Sequence, residues 1–116
     1  MTADTMATVG VLAEAEIELE ALPLAEEVAV RTVMAKLEAL GSRLPFPHQS
    51  AVRGATVREL RPRSGRSPWR AFYRRTGAEG FFVGSIGPEA LVNPKGFKRA
   101  IRLAETLLTQ HEEYGG

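Results

Sequence analysis

A chain of 116 residues with 44% hydrophobic content can build one domain with a buried core, and its lack of cysteine excludes disulfides and thiolate metal sites. No apolar run approaches the roughly 20 residues of a membrane helix, and no charged leader precedes an apolar core, so a cytoplasmic protein with no membrane partner is expected. The net charge of +1 hides a segregation. Residues 1–40 hold eight carboxylates against two cations, a net −6, while residues 41–102 hold thirteen cations against three carboxylates, a net +10. That asymmetry points to an anion-binding face. Twelve of the fifteen cations are arginine, whose planar fork suits bidentate phosphate contact.

In chain order, residues 1–6 are expected to fray. Ala7 to Leu12 reads as a first strand with Gly10 as its weak point. Ala13 to Leu22 alternates apolar and acidic residues as a strand would, but Ala, Glu and Leu are strong helix formers, so a helix is expected. Pro23 breaks it. From Leu24 to Leu40, Val30, Val33, Met34, Leu37 and Leu40 form one apolar stripe, and Gly41 stops the helix. With so short a link, the two helices should form an acidic hairpin covering one face of a sheet.

Ser42 to Gly54 reads as a connector containing Pro45, Pro47 and His48. His48 is either a surface loop histidine or a general acid or base, since imidazole titrates near neutrality. Three meander strands follow at Ala55–Arg63, Trp69–Thr76 and Phe81–Ile86, with turns at 64–68 and 77–80. Asn93-Pro94 should cap and open a last helix with an apolar face of Phe97, Ala100, Ile101, Ala104, Leu107 and Leu108. Lys95, Lys98, Arg99 and Arg102 crowd its first two turns, where cations oppose the helix dipole and a bound anion would relieve them. Residues 113–116 are expected to fray. No cofactor motif is visible, and two distant histidines make no metal site.

The most basic stretch, Val57–Arg75, carries the functional expectation. Period-2 sorting puts Leu60, Trp69, Ala71 and Tyr73 toward the helical hairpin. Arg61, Arg63, Arg70 and Arg74 then share the other face around Phe72, with Arg66 in the turn. Basic residues interleaved with an aromatic suit single-stranded nucleic acid, the backbone neutralised and a base stacked on the ring. Phe72 as part of a second small hydrophobic cluster is the alternative.

Ala21-Leu22-Pro23, Leu37-Glu38-Ala39-Leu40-Gly41, Arg58-Glu59-Leu60-Arg61 and Trp69-Arg70-Ala71-Phe72-Tyr73-Arg74, in this order, resemble the RelE/ParE toxin superfamily. The branch they resemble most is the phage-derived, HigB-like toxins of type II toxin–antitoxin systems. The resemblance covers about residues 7 to 112. It implies an α+β, RelE-like fold in a single domain: an N-terminal helical hairpin on a twisted antiparallel sheet of about four strands, then a C-terminal helix. It also implies a metal-independent, cofactor-free mRNA endoribonuclease that inhibits translation. Its partners would be a cognate helix-turn-helix antitoxin, mRNA and the ribosome. A ParE-like gyrase inhibitor, or a toxin that only binds its antitoxin, is the alternative. Arg61 and Arg70 match family positions suited to the phosphate. Arginine does not deprotonate in proteins, so proton transfer falls to His48 or Lys95. Arg63, Arg66, Phe72, Arg74 and Lys98 complete the RNA-contacting set. The segment Gly87–Lys95 lacks the Tyr or His that ribonuclease members usually carry before the last helix.

Overall fold

The computed structural model describes residues 7–77 and 80–115; the expected frayed residues 1–6, the turn residues Ala78 and Glu79, and Gly116 lie outside them. The elements are β1 (Thr8–Val11), α1 (Ala13–Glu20), α2 (Leu24–Leu40), β2 (Gln49–Ala51), β3 (Arg58–Leu60), β4 (Trp69–Thr76), β5 (Gly80–Pro88) and α3 (Pro94–Gln110). The α+β class is as expected. The sheet has five strands in the order β1-β5-β4-β3-β2 and is mixed, because β1 runs parallel to β5.

Two strands depart from the sequence reading. β2 arises inside the segment expected to be a connector; three residues are too few to display an alternation. β3 is shorter than expected because Pro62, buried and without an N–H, cannot continue the ladder. The acidic alternation of 13–20 does form a helix, with Ala15 and Leu19 one turn apart and buried. α2 buries Val30, Val33 and Leu37 and ends at Gly41, whose φ of 57° a side chain would resist. Arg31 joins the two helices, donating to Glu16 at 2.6 Å and to Glu27 at 3.0 Å.

Helices cover both faces of the sheet. On one, α1 and α2 pack on Leu60, Ala71, Tyr73, Val83 and Ile86. On the other, α3 packs its Ala100, Ile101, Ala104 and Leu108 on Phe72 and Val57. Phe72 is therefore not an open platform: it is 0% exposed, its ring edge-to-face with Phe97 at 5.4 Å. The expected alternative, a second hydrophobic cluster, is the one found. The sorting of faces was sound for Leu60, Ala71 and Tyr73, but α3 claims the face left open for RNA.

The close seat of α3 depends on Gly84 of β5, which presents no side chain to Ala104 and Leu108. A Cβ on Gly84 would lie 3.0 Å from the Ala104 backbone. Ser85 tightens the contact by donating to the Ala100 carbonyl at 2.6 Å. As expected, Asn93 caps α3, its Oδ1 accepting from the Gly96 N–H at 2.9 Å, with Pro94 next. Residues 111–115, expected to fray from 113, continue α3 as a π-helical turn. No helix among the described residues is long and apolar enough to cross a membrane.

Candidate functional site

The turn between β3 and β4 holds three consecutive residues in left-handed conformations. Arg63 and Ser64 adopt left-handed φ of 54° and 56°, followed by Gly65 at 92°. Each such non-glycine residue costs about 1–2 kcal/mol. Contacts to α2 hold the turn in place. Arg63 Nη1 donates to Glu26 Oε2 at 2.6 Å, and Ser67 Oγ donates to Glu26 Oε1 at 2.8 Å. The bond from Arg63, then that from Ser67, keeps the Glu26 carboxyl below the usual range.

Behind this turn lies an alternating arrangement of charge, Arg61–Glu59–Arg70–Glu89. Arg61 lies just past the end of β3, two residues from Glu59, and its side chain reaches back to that carboxylate; Glu59 stands opposite Phe72 on β4. Glu59 Oε2 accepts from Arg61 Nη1 at 3.3 Å, and its Oε1 lies 3.3 Å from Arg70 Nε. That second contact is an ion pair without hydrogen-bond alignment, so the buried Nε–H has no hydrogen-bond partner. The rest of the Arg70 fork is satisfied by the Ser67, Trp69 and Gly65 carbonyls and by Glu89 at 3.4 Å. Burial pushes the Arg70 pKa down, opposed mainly by Glu59; the guanidinium remains charged near neutrality.

Arg61 is the accessible member. Its Nε donates to the Pro47 carbonyl at 3.0 Å, and its guanidinium lies 5.2 Å from the centroid of the Phe46 ring. His48 is its neighbour across the strands: the Arg61 N–H donates to the His48 carbonyl at 2.9 Å. The structure thus brings Arg61, Arg70 and His48 into one region. It adds Glu59, Glu89 and Phe46, which the sequence reading did not select. Glu59 was legible in principle, because Glu-Leu-Arg sets a carboxylate two residues from a guanidinium. Phe46 had no periodic signal to mark it, yet it is 67% exposed beside a cation.

The other expected residues lie elsewhere. Arg63 is engaged by Glu26. Arg74 donates to both Glu112 oxygens at 3.0 and 2.9 Å, and to Thr56 and Thr109. Lys95 and Lys98 lie on the first turns of α3, and Arg66 is exposed in the β3–β4 turn. Tyr73 is buried under the helical hairpin, and burial raises its pKa, so it is no proton donor for an open face. Among the described residues, no group of three or more His, Cys, Asp or Glu is placed to hold a metal ion.

A groove of about 400 Å³ flanks the same sheet face, between the 52–56 loop and α3. Arg53, Lys98 and Arg102 line it, and none of their side chains has a hydrogen bond or ion pair among the described residues. Its one carboxylate, Glu105, is taken by the Thr56 N–H at 2.6 Å and hydroxyl at 3.0 Å.

The family model described as Phage derived protein Gp49-like (DUF891) matches residues 17–84, from α1 into β5. This span includes the second half of α1, all of α2, the constrained turn, Glu59, Arg61 and Arg70, and leaves β1 and α3 outside. The family is associated with RelE-like toxins. No curated protein and no solved structure shows significant similarity to the chain.

Proposed function

Because the chain belongs to the phage-derived Gp49-like family, we propose that it is the toxin of a type II toxin–antitoxin pair, of RelE/HigB type, cutting mRNA without a metal. The observation that carries this reading is Glu59 held between Arg61 and Arg70, with the His48 backbone carbonyl bonded to the Arg61 N–H. Cleavage of RNA by its own 2′-hydroxyl needs three things. A base takes the 2′-OH proton, cationic donors stabilise charge on the phosphate, and an acid protonates the departing 5′-oxygen. Glu59 takes the first role, its carboxylate reachable at 12% exposure, and Arg61, at 22%, takes the second. His48 takes the third. As the 2′-oxygen bonds to phosphorus, the bond to the 5′-oxygen breaks, leaving a cyclic phosphate and a free 5′-hydroxyl. Arg70, 2% exposed, positions Glu59 from beneath and touches no substrate. Phe46, rather than Phe72, offers an exposed ring for a base beside the reacting phosphate.

One observation favours a second reading, a non-catalytic binder of ParE-like type. The arginines at 61, 63, 70 and 74 are each ion-paired within the chain. Primer extension on a reporter mRNA in a translating extract separates the two. The ribonuclease reading expects discrete new 5′ ends, lost with Arg61→Ala or Glu59→Ala and suppressed by an adjacent-gene antitoxin. Intact mRNA alongside inhibited gyrase supercoiling would overturn it.

A further inference from the structure

We propose that the groove between the 52–56 loop and α3 is a second RNA contact, seating the strand that continues from the Glu59–Arg61 cluster. The proposal rests on the ribonuclease reading and adds a site to it. Three observations carry it. First, the groove's cations are unpaired: Arg53 stands on one wall, Lys98 and Arg102 on the other, and none of their side chains is in an ion pair or hydrogen bond among the described residues. Glu105, the one carboxylate in the lining, keeps its charge while it accepts from Thr56, so three cations face one anion and the lining stays positive. Second, one of these cations, Lys98, stands in an unfavourable place. Lys98 lies within the first two turns of α3, and Lys95 and Arg99 crowd it there, against the positive end of the dipole. A polyanion in the groove offsets that repulsion. Third, the groove opens on the face that holds the cluster. Its Phe97 packs on Phe72, and Phe72 is the cross-strand partner of Glu59.

The chemistry fits a nucleotide strand. Lys98 and Arg102 are one turn apart, about 6 Å along the helix, and serve successive backbone phosphates. Val52, Ala55, Phe97 and Ile101 supply an apolar wall for a base. The volume is in the range of small-molecule sites, about 300–1,000 Å³. An acidic protein segment would satisfy the charges but not explain the continuity with the cluster.

The test uses the full chain and a fluorescent single-stranded RNA carrying 2′-O-methyl groups, which cannot be cleaved by 2′-hydroxyl attack. Anisotropy is read across a salt series. The triple variant Arg53→Gln, Lys98→Gln, Arg102→Gln is expected to lose at least tenfold in affinity at low salt. The slope of log affinity against log salt should fall by about 2, at roughly 0.7 per phosphate contact. The variant Arg63→Gln, Arg66→Gln should change the slope by less than half as much. A triple variant that binds RNA with the wild-type slope overturns the groove, as does one that loses polyglutamate binding alone. Cleavage read in parallel on unmodified mRNA keeps the two proposals apart. Normal cleavage by wild type with an unaltered slope in the triple variant rejects only the groove. No cleavage by wild type, with the slope change present, rejects only the catalytic cluster.

Discussion

The β3–β4 hairpin and the start of α3 are both rich in cations, and they spend that charge in opposite ways. In the hairpin, Arg61 and Arg70 share Glu59, Arg63 is bound by Glu26 and Arg74 by Glu112. On α3 and the loop facing it, the side chains of Arg53, Lys95, Lys98, Arg99 and Arg102 have no hydrogen-bond or ion-pair partner among the described residues. Density of arginine in a sequence therefore does not locate free charge. The glutamates that neutralise the hairpin come from four places: its own strand, α2, the segment after β5 and the turn after α3. Arg61, Arg63, Arg70 and Arg74 tie the hairpin to its neighbours through carboxylates, whereas the cationic side chains on the α3 side are left unpaired among the described residues.

The comparison breaks most visibly at Arg70. Arg70→Met leaves Glu59 and Glu89 without their shared cation in a largely buried site and is expected to cost about 3–5 kcal/mol in urea unfolding. A loss below 1 kcal/mol would show that the hairpin's charges are not structural. Phe72→Ala is expected to cost a similar amount, about 3–5 kcal/mol, as a core truncation, without changing RNA affinity of the folded protein. Phe46→Ala should do the reverse, weakening RNA binding by about 1–3 kcal/mol and leaving the melting temperature in place. Equal effects of the two would undo the distinction between core ring and platform.

A smaller change is expected at Gly84. Gly84→Ala pushes a methyl against Ala104 and Leu108 and should cost about 1–3 kcal/mol, with hydrogen exchange rising along α3. Smallest are the partly exposed bridges. Arg63→Gln should cost no more than about 1 kcal/mol. The carboxyls of Glu16, Glu26 and Glu112 sit below their unfolded values through Arg31, Arg63 and Arg74. Their contribution is present above about pH 5 and is lost as pH falls below about 4, through the lowered folded values. A thermal melt series should decline over that window, and Glu26→Gln should flatten it in part.

Much of this architecture was legible in the chain. The stripe of α2, the Asn93-Pro94 start of α3 and the strands β4 and β5 all followed from periodicity and capping. The failure at Phe72 has a physical cause. Alternation tells which residues share a face, not whether that face is covered. Ala71, Phe72 and Tyr73 are buried in succession because helices cover both faces, and such strands lose the apolar-polar contrast that marks an open side. The apolar stripe of α3 was the available clue, since it required a face to bury against. At the candidate site, Arg61 and Arg70 stood out by residue type. Glu59, one carboxylate among many arginines, carries no periodic mark of its own, and the pairings with Glu26, Glu89 and Glu112 span separations no local pattern encodes.

Arginine modification in the free protein, mapped peptide by peptide with a dicarbonyl reagent, tests the division of charge most directly. The account predicts fast modification of Arg53 and Arg102, slow modification of Arg70 and Arg74, and protection of Arg53 and Arg102 when single-stranded RNA is added. Fast modification of Arg70 and Arg74, with RNA protecting them and not the α3 groove, would contradict it.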